Sequence, residues 1–213
     1  MKLSGGYAVV GFVFVLALLA GLLAYVKPTL RMSAAAAIWI AFTIYWSAAV
    51  RGAGPIKSSE SRVSRAIHLR LLYGSLFLLF VPVPGLRERY VALTSLIVAF
   101  GLAVETGFAL FAVWARRHLG RNWSGAITVT KDQELVSSGP YRYVRHPIYT
   151  GIIGMYVGTA LVSGEVHALV AVAMISFAYW RKIRLEEKTL RETFGSAYDA
   201  YRNRSWAFVP WLY

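Results

Sequence analysis

The 213-residue chain contains no cysteine. Disulfides, thiolate nucleophiles and cysteine-zinc sites are therefore excluded. Acidic residues are scarce, 10 against 23 lysines and arginines. The four histidines, His68, His118, His146 and His167, are scattered without an i, i+4 pair, so no metal site is expected. Glycine-rich phosphate loops, dinucleotide fingerprints and the nucleophile elbow are also missing. Internal repeats and low-complexity tracts are absent too. These gaps remove metal chemistry, covalent acyl transfer and Rossmann-type binding from the first rank of readings.

What the chain has instead is apolar length. It is 57% hydrophobic, with a mean hydropathy of +0.52, too apolar for a soluble domain. A span needs about 20 apolar residues. Six candidates are found: Tyr7–Val26, Ser33–Val50, Ile67–Val83, Tyr90–Trp114, Ile148–Ser163 and Val166–Trp180. The first begins near Lys2 and is longer than a signal-peptide core, so it reads as a retained span. Gly164-Glu165 alone separates the last two, which predicts a tight helical hairpin. The expectation is one all-α polytopic membrane domain, 1–213. A four-span scaffold, 1–114, precedes a polar-rich half, 115–213.

The net charge of +13 would suit a nucleic-acid binder, but its distribution argues otherwise. When the connecting segments are numbered alternately, one side holds 19 of the 23 lysines and arginines. Only Lys27, Arg31, Arg87 and Arg89 fall on the other. This asymmetry places both termini in the cytoplasm, in the inner or plasma membrane if the source is bacterial. The basic side lies against anionic headgroups, and nucleic acid is not expected as a partner. Arg116, Arg117 and Arg121 are expected to snorkel to those headgroups.

The densest chemistry lies in Gly139-Pro140-Tyr141-Arg142-Tyr143-Val144-Arg145-His146-Pro147-Ile148-Tyr149-Thr150-Gly151. Pro147 suits the first position of a helix, whose amides and partial positive charge would suit an anion. Glu186 and Glu187 follow the last span. Read blandly, they are a solvated face, with Glu187 pairing Arg191 one turn on. Leu190, Phe194, Ala197, Tyr198 and Tyr201 recur at helical spacing and predict an amphipathic helix. It either lies on the bilayer or closes over a pocket. Ile127–Thr130 reads as a brief extended piece. Glu105, the only acid inside an apolar span, must be paired, protonated or facing a cavity. The expected arrangement is a pair with a basic loop residue, from the cytoplasmic third of its span. Gly101, Gly107, Gly151, Gly154 and Gly158 are expected at helix contacts.

The ordered set GPYRYVRHPIYTG, Glu186-Glu187 and Phe194-Gly195-Ser196-Ala197-Tyr198-Asp199-Ala200-Tyr201 resembles the isoprenylcysteine carboxyl methyltransferase family. These are integral membrane enzymes related to the phospholipid N-methyltransferases. The likeness covers roughly residues 114–205. It implies S-adenosylmethionine as cofactor and a lipophilic acceptor reached from the bilayer, with no metal. It further implies cofactor contacts from Gln133, Glu134, Leu135 and Val136, from Gly139 and Tyr141, from Arg145, His146, Pro147, Ile148 and Tyr149, and from Glu186 and Glu187. Four residues before Glu186 the family keeps an acceptor-holding arginine. Here that position is Lys182, with Arg181 or Arg184 beside it as substitutes. The family's arginine-valine-proline near the C-terminus is replaced by Arg204-Ser205-Trp206. Phospholipid and small-thiol acceptors, a sterol-type reductase using NADPH and a non-catalytic scaffold are the alternatives. Phe177, Tyr179 and Trp180 either line the acceptor's path or form an interfacial belt.

Overall fold

The computed structural model describes residues 29–50, 60–123 and 134–208. The first expected span, the Ile127–Thr130 piece and Gln133 lie outside the described residues. Six helices follow one another: α1 (Leu30–Val50), α2 (Arg62–Phe80), α3 (Ser95–Leu119), α4 (Pro147–Ser163), α5 (Val166–Phe194) and the short α6 (Ser196–Arg202). Of these, α1, α2, α3 and α5 are long and apolar enough to cross a membrane, and α4 is apolar but shorter. Among the described residues there is no named strand, in keeping with the all-helical expectation.

Local chemistry sets the helix ends. Ser61 and Thr94 cap α2 and α3, accepting from the amides of Ser64 and Ile97; such caps satisfy amides that have no partner within the helix. Arg116, Arg117 and His118 occupy the last turn of α3, where cations complement the helix dipole. Gly164, at φ +70°, turns α4 back into α5, so the predicted hairpin is present. The segment before α3 covers this turn: Tyr90 donates to Ala160 O at 2.7 Å. His167 at the start of α5 meets Leu78 O at 2.6 Å.

Helices α3 and α4 lie in close contact along glycines. A Cβ on Gly151 would fall 2.6 Å from Ala112 Cβ, and one on Gly158 would fall 2.5 Å from Glu105 N. Gly154 faces the Phe108 ring and Gly101 faces Gly158 O. Small residues let two backbones approach in this way. Gly107 departs from the expectation, since nothing lies within 4 Å of its Cβ position. The outward face of α3 exposes Leu96, Phe100, Leu110 and Trp114, as a lipid-facing surface would. The inner core joins Trp39 and Phe42 to Leu76, Leu79, Met155, Tyr156 and Ile175.

Several boundaries differ from the sequence expectation. The fifth helix does not stop at Trp180 but runs on to Phe194, because the polar stretch after the apolar run is made of good helix formers. The amphipathic helix expected from Leu190 to Tyr201 is two helices. Gly195, at φ +52°, breaks it, leaving Leu190 and Phe194 on α5 and Tyr198 and Tyr201 on α6. Arg116 does not snorkel. It is buried, donates to Ala49 O at 2.8 Å and to Gly120 O at 3.1 Å, and stacks 4.3 Å from the centre of the Trp123 ring. Glu105 lies near the middle of α3, is fully buried, and has no hydrogen-bond partner for either oxygen among the described residues. The expected pairing with a basic loop residue is not formed.

Candidate active site

The GPYR segment forms a short 3-10 turn, Gly139–Arg142. Gly139 is required at its start: φ is +58°, and a Cβ would fall 2.6 Å from the His118 ring. The turn places Tyr141 inward, where its hydroxyl reaches Ala115 O at 3.4 Å. Pro147 opens α4 as expected. Its neighbouring amides, however, are engaged: those of Tyr149 and Thr150 bond to His146 O, and those of Arg145 and His146 bond to Trp206 O and Ala207 O.

The last contacts belong to a strap that the sequence reading missed. After α6 the chain returns beside the start of α4. Val144 and Trp206 form a parallel bridge, and Thr150 Oγ1 donates to Phe208 O at 2.7 Å. Tyr201 donates to Tyr141 O at 2.6 Å. Arg145 ties the strap to α5. Its Nε donates to Glu187 Oε1 at 2.7 Å, and its Nη1 donates to the carbonyls of Arg202 and Ser205. Glu187 is thus an anchor for Arg145, with His146 Nε2 also 3.4 Å from it. The expected Glu187–Arg191 pair is absent, because Arg191 turns to Asp199 at 2.8 Å across the Gly195 break.

Glu186, one residue earlier on the helix, points elsewhere. Its Oε2 accepts from Tyr149 OH at 2.9 Å and lies 3.8 Å from His146 Nδ1. His146, Tyr149 and Tyr179 stack, with centroids 5.6 and 4.5 Å apart. Of these groups, Glu186, His146 and Tyr149 line an open cleft, and Tyr179 backs the stack. The walls of the cleft include Glu134, Leu135, Val136, Tyr141, Arg145, His146, Ile148, Tyr149 and Glu186, nine of the residues expected from the sequence. Leu119, Asn122 and Trp123 from the end of α3, and Thr189, Leu190, Phe194, Tyr198 and Tyr201 from the other side, complete it. The α6 tyrosines are buried against the cleft rather than spread over a bilayer surface. Burial raises the phenols of Tyr141, Tyr198 and Tyr201 well above the ordinary tyrosine range, so all three stay protonated.

Gly139, Pro147 and Glu187 support this wall without lining it. Lys182 stands behind it, its Nζ 5.6 Å from the centre of the Tyr149 ring. Arg181 does not fit its expected role. It donates to Ser64 O and Oγ at 3.2 and 2.8 Å, fastening α5 to the start of α2. Arg184 is exposed and lies over Trp180, 5.8 Å away. The aromatic trio also divides: Tyr179 is buried in the stack, whereas Phe177 and Trp180 are exposed.

Residues 96–197, which include most of this cleft, match the family described as Phospholipid methyltransferase. Protein-S-isoprenylcysteine O-methyltransferase B of Arabidopsis thaliana is 27% identical over 77% of this chain and 83% of its own length. Protein-S-isoprenylcysteine O-methyltransferase of Schizosaccharomyces pombe is 34% identical over 38% of this chain, and the matched part is 34% of that protein. The chain is thus similar to isoprenylcysteine O-methyltransferases along much of its length. A solved structure of the eukaryotic intramembrane Ras methyltransferase ICMT shares the fold. It gives a TM-score of 0.50 at 18% identity, covering 70% of this chain and 52% of that one. Its apolar helices are those of an integral membrane protein, and the relatives, methyltransferases by name, imply a methyl donor for their reaction.

Proposed function

We propose that the protein transfers a methyl group from S-adenosylmethionine to a lipophilic, isoprenylcysteine-like acceptor, with both termini and the cleft at the cytoplasmic face. The observation that carries this reading is the convergence of Glu186, His146, Tyr141, Tyr149 and Glu134–Val136 on one cleft. The residues present fit the donor. Glu186 offers a carboxylate for an ammonium group, while Trp123, Leu119, Ile148 and Phe194 offer apolar and aromatic surface for a nucleoside. Tyr198 contributes a buried hydroxyl.

When bound, S-adenosylmethionine supplies a methyl group on a sulfonium, open to in-line displacement. The chain's own task is to orient and to exclude water. Tyr149 fixes the rotamer of Glu186 by donating to its Oε2. Arg145 and Glu187 hold the Tyr141–His146 segment against α5. Tyr198 and Tyr201 contribute to the lining of the cleft, as Trp123 does. A carboxylate acceptor is already an anion at neutral pH, so its methylation needs no general base and no metal.

A phospholipid acceptor is the second reading, favoured by the family that residues 96–197 match. The methyltransferases among the relatives argue against the reductase. Purified protein in micelles, given labelled S-adenosylmethionine, should methylate a prenylated cysteine carboxylate in preference to phosphatidylethanolamine or a small thiol. Failure to bind the donor or its demethylated product would overturn the reading.

A further inference from the structure

Helix α3 ends on a buried cation that no acid balances. Arg116 is 7% exposed. Its guanidinium forms no salt bridge among the described residues, and its Nε has no hydrogen-bond partner among them. A guanidinium kept from water without a carboxylate is costly. What surrounds it instead is two carbonyls and one ring. Nη2 donates to Ala49 O at 2.8 Å, in the last turn of α1, and Nη1 donates to Gly120 O at 3.1 Å. The guanidinium carbon lies 4.3 Å from the centre of the Trp123 ring.

Trp123 is held from several sides. Gly120 O, which accepts from Arg116, also accepts from the Trp123 amide at 3.4 Å. Arg116 therefore acts on this residue twice, at its ring and at the carbonyl on which its backbone rests. Trp46 of α1 meets the same ring edge-to-face, with centroids 5.6 Å apart. Trp123 lines the cleft, and so do Leu119 and Asn122 beside it. Asn122 Oδ1 accepts from the amide of Glu134 at 3.3 Å, which joins this turn to the next stretch of wall. A ring fixed from outside presents a pre-set surface, and pre-set surface lowers the ordering cost of binding.

We propose that Arg116 is a positioning residue for the donor site: it holds Trp123 in the cleft wall and, through Ala49 O, makes donor affinity depend on the end of α1. The inference rests on the methyltransferase reading above and deepens it. Trp123 touches the nucleoside, and Arg116 acts through Trp123. Since α1 lies outside residues 96–197, a helix that the matched segment does not contain supports the donor. The two carbonyl bonds alone would make a clamp between helices. The ring contact ties that clamp to the cleft, and a double-mutant cycle separates the two roles.

The test is S-adenosylhomocysteine binding to the full chain in micelles, measured by calorimetry, with the melting temperature of the ligand-free protein read alongside. Trp123→Ala should weaken binding roughly fivefold to a hundredfold, the range of a base stacked on an aromatic ring. Arg116→Met should weaken it roughly threefold to thirtyfold, the range of a desolvated cation–π contact. In Trp123→Ala protein the same substitution should change affinity by less than about twofold, because its route to the ligand is gone. It should still lower the melting temperature there, because the carbonyl bonds are lost in both backgrounds. Arg116→Lys keeps the charge without the planar fork; if Arg116→Met does not fold, Arg116→Lys is read in the same two backgrounds, with the same coupling expected. Affinity unchanged by substitution at Arg116, or reduced by the same factor in both backgrounds, would overturn the assignment and leave the methyltransferase reading intact. Affinity unchanged in Trp123→Ala would do the same. Wild-type protein that binds no S-adenosylhomocysteine would remove both.

Discussion

Arg145 Nε and Glu187 Oε1 stand 2.7 Å apart, with both side chains largely buried, and this pair separates the two adjacent glutamates by role. Glu187 faces the segment that carries His146 and the returning strap. Glu186, rotated about 100° along the helix, faces Tyr149 and the cleft. A string of two glutamates and a lysine on a helix reads as a solvated face, but here one acid is structural and its neighbour is open to a ligand.

Removing one partner of a buried pair leaves the other charge uncompensated, at a cost of about 3–5 kcal/mol. Glu187→Gln should therefore lower the melting temperature in micelles clearly, as read by a thermal-shift assay. Arg145→Met should do the same, and the double variant should lose less than the sum of the two. Strict additivity would show that the pair carries no coupling.

Glu186→Gln should keep the fold and weaken S-adenosylhomocysteine binding. One charge-assisted bond corresponds to roughly a tenfold to hundredfold change in affinity. Isothermal titration on wild type and variant decides this, and equal affinities would remove Glu186 from the donor site.

Adding a side chain to the α3–α4 seam should be costly where the neighbour is backbone. Gly158→Ala would press a methyl against Glu105 N, and overpacking of this kind costs about 1–3 kcal/mol. Gly107→Ala, with open space at its Cβ position, should leave the melting temperature unchanged or raise it slightly. The two variants, scored side by side by thermal shift, test the seam directly.

The charge asymmetry predicts opposite reporter signals from fusions at residue 213 and in the 84–89 turn. The 81–94 segment meets the Gly164 turn at one end, through Tyr90 and Ala160. The cleft, Arg181 and Ser64 lie at the other. Equal reporter signals would break the topology.

Much of this was legible in the sequence because it is local. Apolar length marked the helices, and the GPYRYVRHPIYTG run carried its own glycine and its proline helix start. The hairpin at Gly164 followed from a gap of two residues. What stayed hidden depended on contacts far along the chain or on backbone geometry. Helical spacing continued smoothly across Gly195, so the break between α5 and α6 left no mark in the periodicity. Arg181 and Lys182 are neighbours in sequence but project about 100° apart, and only the docking of α2 decides which of them reaches Tyr149. The burial of Arg116 depends on Ala49 and Trp123, neither of which the local pattern names. The strap is a pairing of Trp206–Phe208 with residues some sixty positions earlier, and no motif announces such a partner.

That strap also sets the order in which the site can be built. The backbone amides of Arg145 and His146, and the guanidinium of Arg145, find their partners between residues 202 and 207. The chain is made from its N-terminus, so α1 to α5 are all synthesised before those carbonyls exist. The wall that carries His146 is completed only when they arrive, and a polypeptide ending before residue 206 would lack those partners.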